Sequence, residues 1–294
     1  MIIDKTNSLN IFIFLCLTAF GLGVSPLSRA ADQESGWQVS VGLGAGVRTN
    51  PVMDNDDIPL LVIPQISYQG EEFFVQNLDV GYTLFQDKER QFNLLLTPGY
   101  DQVFFNRWDV NNFIDRSSFA SIAKDSVKDG PAGGVVDTEL SNSTIDKRRL
   151  HKRRMAALAG LEYNHTLYEL DLQVQVLQEI TDYYGGNEIR FSLSKNIHLG
   201  KNDVKLTLGA NWQNASTLNY FYGLTEQESL VHIAYRPGGG LTSLLRFDWN
   251  YQLNEHWSLR FFSSYRHLSH AASDSPLVVK NNVVTAFAGG VYHF

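Results

Sequence analysis

The chain has 294 residues, 44% hydrophobic, 12% aromatic and 19% charged, with a formal net charge of −7. That aromatic load and modest charge exclude a disordered chain, and the acidic balance argues against a nucleic-acid binder. Only one apolar run approaches the roughly 18 residues that a spanning helix needs, which argues against a helical membrane protein.

That run opens the chain. Lys5 stands with Asp4 in a short polar segment, Ile11 to Val24 is apolar, and Ser28-Arg29-Ala30 puts small residues at positions −3 and −1 of a cut after Ala30. Residues 1–30 therefore read as a secretory signal peptide, too short and wrongly flanked for a spanning helix. Leu15 stands where lipidation of Cys16 would want a small residue, so Cys16 is not a lipid anchor. Cleavage leaves residues 31–294 as one domain with 22 basic and 30 acidic residues, a charge of −8, and no cysteine. A secreted chain without disulfides must be held by its core or by a membrane. Thiol catalysis and zinc–thiolate sites are excluded with the cysteine.

Beyond residue 30 helix signals are nearly absent and period-two alternation dominates, the mark of strands. In Leu245-Arg246-Phe247-Asp248-Trp249-Asn250-Tyr251-Gln252-Leu253 every odd position is apolar or aromatic and every even one charged or amide. The stretches 168–176, 189–194 and 204–212 repeat the rule. In chain order the predicted strands are 37–48, 58–68, 71–86, 91–105, 153–165, 168–180, 187–198, 203–213, 226–236, 241–253, 256–267 and 283–294. Twelve is an even number, as bacterial barrels require, but this set puts the long 106–152 connection on the side of the short turns. Splitting 71–86 near Asn77 and moving 226–236 into a loop keeps twelve strands and sends 49–57, 106–152, 181–186, 214–240 and 268–282 to one side. A strand of about six residues cannot cross alone, since about 9–11 are needed. A ten-stranded barrel with loop pieces folded inside is therefore the alternative count.

The expected fold is all-β, an antiparallel transmembrane β-barrel in a Gram-negative outer membrane. A sheet in lipid must close, because an open edge leaves backbone N–H and C=O groups unpaired. A soluble sandwich shows the same alternation. Three features favour the membrane. Aromatics sit near strand ends (Trp212, Trp249, Tyr251, Trp257, Tyr265), full charges stand in mid-strand, and the chain ends on a strand closing with Tyr292 and Phe294. That last pair looks like the insertion signal read by the barrel-insertion machinery.

Several patterns together resemble the MipA/OmpV family of Gram-negative outer-membrane proteins. They are Val41-Gly42-Leu43-Gly44-Ala45-Gly46, Pro59 to Tyr68, Phe73-Phe74 ahead of Gly81-Tyr82, Asn219-Tyr220-Phe221-Tyr222-Gly223-Leu224, Tyr235-Arg236-Pro237-Gly238-Gly239-Gly240, Asp274-Ser275-Pro276-Leu277-Val278 and Gly290-Val291-Tyr292-His293-Phe294. The segment 106–152 departs from the family by its length and polarity. The resemblance implies an outer-membrane barrel. Members are described as scaffolds joining a lytic transglycosylase to a murein synthase, others as porin-like or osmotically regulated surface proteins. It supplies no catalytic residues.

The residues themselves give three candidate surfaces. Arg190, Lys205, Arg246, Asp248 and Arg260, with Glu162, Glu169 and Asp171, are predicted to point into the lumen, where charges either pair and fill it or line a wet channel. The basic run Lys147, Arg148, Arg149, Lys152, Arg153 and Arg154 suits lipopolysaccharide phosphates, or simply faces the acidic residues of its own loop. Tyr220-Phe221-Tyr222-Gly223 and Pro237 to Gly240 either fold inward and narrow the lumen or form loop-tip turns. Ser269, His270 and Asp274 share a polar loop without a nucleophile elbow, and the histidines show no metal spacing. No enzyme, cofactor, metal or nucleic acid is expected. The leading function is a non-enzymatic scaffold in peptidoglycan assembly, and the alternative is a narrow porin-like channel or envelope-stress protein. Partners would be outer-membrane lipid and lipopolysaccharide, the insertion machinery, and the two murein enzymes.

Overall fold

The structure is a computed structural model and describes residues 36–105, 145, 149–229 and 233–294. Twelve antiparallel strands close on themselves. They are β1 (Gly36–Arg48), β2 (Ile58–Gln69), β3 (Phe73–Gln76), β4 (Asp79–Gln86), β5 (Arg90–Pro98), β6 (Ala157–Leu167), β7 (Leu170–Glu179), β8 (Asn187–Leu199), β9 (Asn202–Gln213), β10 (Gly240–Gln252), β11 (Trp257–His267) and β12 (Asn282–His293). Each pairs with its sequence neighbours, and β12 returns to β1 with Arg48 opposite Thr285 and Ser40 opposite His293. Closure leaves no exposed sheet edge at this seam, which is what lipid demands.

The period-two pattern decides which side chain faces where. Leu241, Leu245 and Phe247 on β10 and Leu259, Phe261 and Tyr265 on β11 are exposed on the outer wall, while Thr242, Leu244, Arg246, Phe262 and Arg266 are buried inside. The five turns at 70–72, 87–89, 168–169, 200–201 and 253–256 are short and lie at one end. The connections 49–57, 99–156, 180–186, 214–239 and 268–281 emerge at the other.

As in the set that splits 71–86 near Asn77 and moves 226–236 into a loop, residues 71–86 hold two strands, and the described parts of the second stretch, 226–229 and 233–236, hold none. Asn77, held at φ 54°, breaks the first. Among its described residues the second has no ladder beyond isolated bridges, Leu224 to Tyr235 and Ile145 to Ser229. The ten-strand count is overturned with them. Because β3 is only four residues long, β2 pairs with it only at Ser67–Gln69, while the rest of β2 is laddered to β1 alone. Asn77 extends that short ladder by one rung: its N–H donates to Ile66 O and its Oδ1 accepts from Ile66 N at 2.9 Å. Pro59 and Pro64 lie in the singly paired stretch, where a missing N–H removes a donor that an edge would leave bare.

Candidate functional site

The lumen and the cap over it form the candidate site. At the seam, inward glycines make a bed. A Cβ on Gly44 would stand 2.2 Å from Ala288 O and 2.8 Å from the ring of Phe287, and one on Gly289 would stand 2.8 Å from the same ring. The absent side chains let Phe287 lie flat inside the wall and stack on Phe262 with centroids 5.6 Å apart. Ile58, Leu60 and Ile63 of β2 complete this buried cluster.

Charged groups divide between two arcs of the wall. Asp79, Glu162, Asp171, Glu179 and Glu188 are buried on β4 to β8, while Arg48, Arg246 and Arg266 are buried on β1, β10 and β11. Each arc holds one exception. Arg190 on β8 pairs with Glu188 at 3.0 Å, and Asp248 on β10 takes Arg246 through Nε at 2.6 Å and Nη2 at 2.5 Å. Arg260 reaches the same carboxylate at 3.8 Å. The guanidinium groups of Arg246 and Arg260 lie 4.4 and 5.6 Å from the Phe262 ring centroid, within cation–π range.

The sequence-predicted lumen residues Arg190, Lys205, Arg246, Asp248 and Arg260 thus all lie on inward positions of β8 to β11. Glu169 does not: it sits in the two-residue turn after β6, exposed, 3.6 Å from Lys195. Its neighbour Tyr168 takes the turn's left-handed position at φ 56°, so the alternation breaks there.

The cap is built from all five long connections, with Tyr184 of 180–186 stacked on Tyr220 at 4.9 Å between centroids. Its helix α1 (Ala215–Tyr222) is unannounced by hydrophobic periodicity, and its one local signal is Asn214, whose Oδ1 accepts from Thr217 N at 3.0 Å as an N-cap. Leu218, Phe221 and Tyr222 of α1 pack with Val52, Val103, Phe104, Leu268 and Ala272 into one buried apolar cluster. The Tyr220–Gly223 segment therefore folds inward. Phe104 O accepts from Asn50 Nδ2 at 3.0 Å and Asn55 Nδ2 at 2.9 Å, tying the first long connection to the second. A short helix α2 (His270–Ser273) is capped by Ser269, whose hydroxyl accepts from Ala272 N at 3.3 Å. That role, and the placement of Asp274 at the helix's C-cap, account for the Ser269, His270 and Asp274 cluster structurally.

The carbonyls at the end of α1 are taken from outside. Arg153 donates Nε to Phe221 O at 2.8 Å and Nη2 to Gly223 O at 3.1 Å, and lies 4.8 Å over the Phe105 ring. Ser275 donates to Tyr222 O at 2.6 Å. A guanidinium satisfies orphan carbonyls and complements the helix dipole at once. Burial lowers the Arg153 pKa to about 10, with Glu228 opposing, so it stays charged at neutral pH. Arg153 is 7% exposed and belongs to the cap, which corrects its expected contact with lipopolysaccharide. Arg149, Lys152 and Arg154 are exposed, while Lys147 and Arg148 lie outside the described residues.

Two carboxyl groups fasten the cap with opposite electrostatics. Burial works against ionised Glu228, but hydrogen bonds from His151 N and Nδ1 and from Thr225 N and Oγ1, at 2.7–2.9 Å, hold its pKa down to about 2. Asp101, in the 3₁₀ turn Asp101–Phe104, is pushed upward by burial and by Glu188, against Arg266 and Gln213. Gln213 Nε2 donates to Asp101 at 2.7 Å and to Glu188 at 3.2 Å, so the cap is keyed into the wall at β8 and β9. No group of three or more His, Cys, Asp or Glu is placed to hold a metal among the described residues.

A family profile described as MltA-interacting protein MipA matches residues 41–294. The chain belongs to the MipA family. The MltA-interacting protein of Escherichia coli K12 is 24% identical over 280 residues, covering 95% of this chain and 99% of that relative. Outer membrane protein OmpV of Vibrio cholerae is 25% identical over 216 residues, covering 72% and 82%. Among solved structures, an outer membrane channel of Pseudomonas putida F1 covers 92% of this chain and 100% of its own at 10% identity and a TM-score of 0.34. OmpT of Vibrio cholerae, in its trimer form, covers 89% and 100% at 8% identity and a TM-score of 0.33. Those scores are too low to bear on function. The family, the closed barrel and the outer-membrane relatives make this MipA-family chain an outer-membrane β-barrel.

Proposed function

We propose that this barrel is a non-enzymatic scaffold that brings a murein-degrading lytic transglycosylase together with a murein synthase, so that its work is holding partners rather than passing solutes. One observation carries the reading. The lumen is filled at the seam by Phe262 and Phe287 and covered at the long-loop end by an apolar cap in which Leu218, Phe221 and Tyr222 are buried. A relative named MltA-interacting protein supplies the kind of partner. Outer-membrane barrels keep short turns periplasmic, so the docking surface is the short-turn end together with the segment 31–36. Residues 1–30 act as an export signal, and 31–294 form the mature chain. Arg149, Lys152 and Arg154 at the other end meet lipopolysaccharide phosphates, with Lys147 and Arg148 of the same run, and Tyr292 and Phe294 serve as the insertion signal.

The runner-up is a narrow channel for small polar solutes. It is favoured by one feature, the acidic arc of β4 to β8 facing the basic arc of β1, β10 and β11, since opposed charges across a lumen orient polar solutes. Planar-bilayer recording of the refolded protein separates the two. Silence, with co-purification of a lytic transglycosylase from envelope extracts, supports the scaffold. Steady ion-selective steps that change with Arg246→Glu or Arg260→Glu overturn it in favour of the channel.

A further inference from the structure

The last turn of α1 leaves four carbonyls that must find donors beyond the helix. Gly223 N donates to Asn219 O at 3.0 Å, Arg153 to Phe221 O at 2.8 Å and Ser275 to Tyr222 O at 2.6 Å. The fourth, Tyr220 O, faces Nε2 of His151 at 3.1 Å. The other ring nitrogen, Nδ1, stands 2.7 Å from Glu228 Oε1. A backbone carbonyl can only accept. Glu228 can only accept as well, because its N–H and O–H donors hold it ionised against burial.

Both ring nitrogens of His151 therefore meet acceptors. A neutral imidazole carries one N–H and would turn a lone pair toward the other oxygen, whereas the imidazolium donates to both. Its place favours that charge twice over. It lies at a helix C-terminus, where the dipole attracts a cation, and it pairs with a carboxylate that is 7% exposed. Tyr220 lays its ring 5.5 Å from the imidazole, and its hydroxyl accepts from Arg154 N at 2.7 Å. The opposing charges belong to the histidine's own segment. Arg153 is the nearest, with Nη1 donating to His151 O at 3.1 Å. Arg149, Lys152 and Arg154 are exposed, so solvent screens them, and the exposed Glu226 in the turn of Glu228 offsets them further. The two short contacts outweigh this repulsion. At 42% exposure the His151 side chain trades protons freely with the medium.

We propose that His151 is a proton-operated latch: doubly protonated it fastens the cap through Glu228 and Tyr220, and loss of one proton loosens the cap. Histidine is the side chain that ordinarily changes charge between about pH 5 and 8. The closed cap holds more proton at this ring than the opened cap, so opening becomes easier as pH rises through that range. Opening bares Leu218, Phe221 and Tyr222, which are buried when the cap is shut. The latch goes beyond the scaffold and channel readings and is independent of both, since the cap covers the lumen in either.

The test is hydrogen exchange of the α1 amides in the full refolded barrel between about pH 5.5 and 8, corrected for the intrinsic chemical rate. Asp101→Asn serves as the background, because the raised Asp101 also weakens the cap as pH rises. The opening equilibrium should increase about tenfold over this range, the worth of one hydrogen bond to a charged group. His151→Gln, which keeps a donor but takes up no proton, should open equally at every pH, at the wild-type level of the alkaline end. A flat profile with His151 present, or an undiminished slope in His151→Gln, overturns the latch. If His151→Gln does not refold, Glu228→Gln decides: it removes the charge that holds the second proton, so the slope should fall, and an unchanged slope overturns the proposal.

Discussion

The wall and the cap of this barrel are held by different physics. Each wall strand pairs with strands adjacent in sequence, and the seam is locked by two stacked phenylalanines on a glycine bed. The cap is assembled from contacts between distant loops: Asn50 to Phe104 across 54 residues, Arg153 to Phe221 across 68 and His151 to Glu228 across 77. Bringing such distant segments together costs loop-closure entropy that a wall of hairpins mostly avoids. The wall should therefore stand without the cap, and the cap should open without the wall. Segments held by few long-range contacts are the ones that open locally at low cost.

The sharpest break of that contrast is on the wall side. Phe287→Ala empties the space over Gly44 and Gly289 and removes the stack with Phe262, for an expected loss of about 3–5 kcal/mol. Wall and cap should then melt together at a lower temperature, read as earlier loss of heat-modifiable gel mobility. A cap that came loose alone in this variant would show that the seam is not what holds the wall.

On the cap side, Arg153→Ala leaves two carbonyls at the end of α1 without their donors and removes a buried cation from the Phe105 ring, so about 2–3 kcal/mol is lost from the cap alone. Proteolysis within 214–239 should accelerate while gel mobility and barrel melting stay put. Arg153→Lys should recover part of the loss, since an ammonium cannot span both carbonyls as a planar fork does. A barrel that melted in step with the loop would erase the distinction between the two regions.

The two cap carboxyls sharpen it through pH. Glu228 has a folded pKa near 2 against an ordinary 4.5, so its stabilisation is complete above pH 4.5 and is lost as pH falls toward about 2. Asp101 is raised, so its contribution is present below its ordinary pKa of 3.8 and is lost as pH rises through the folded value. Cap protection should fall on acidification in the wild type, and Glu228→Gln should flatten that arm. Asp101→Asn should strengthen the cap at neutral pH while changing it little in strong acid. A barrel melting curve that followed the same profile would place these groups in the wall's stability instead.

How much of this was legible follows the same division. The strands from 153 onward, apart from 226–236, announce themselves by alternation, because one face meets lipid and the other the lumen. Arg190, Lys205, Arg246, Asp248 and Arg260 fell on the inward face for that reason. In 226–236 the run Leu230-Val231-His232-Ile233-Ala234-Tyr235 has the residues of a strand, and only the sidedness of the long connections argued for a loop; of this stretch the described residues, 226–229 and 233–236, make isolated bridges alone. Arg153 was unreadable: within a basic run nothing marks one guanidinium as a helix cap whose partners lie 68 and 70 residues away. Phe287 on Gly44 and Gly289 was half readable, since the glycines were visible but not what they made room for.

The smallest expected effect lies where β2 outruns its short neighbour. Asn77 stands at φ 54°, a conformation that asparagine tolerates better than residues without a short polar side chain. Its side-chain oxygen takes the Ile66 N–H at 2.9 Å, and its own N–H donates to the Ile66 carbonyl. Asn77→Ala keeps that backbone bond, loses the Oδ1 acceptor and strains the turn, for about 1–2 kcal/mol. Asn77→Gly relieves the strain and loses only the acceptor, so it should cost about half as much. The difference is measurable as barrel melting with cap proteolysis unchanged. Equal melting of the two variants would mean that the Oδ1 bond alone matters there, and that the left-handed turn is carried by β3 and β4 around it.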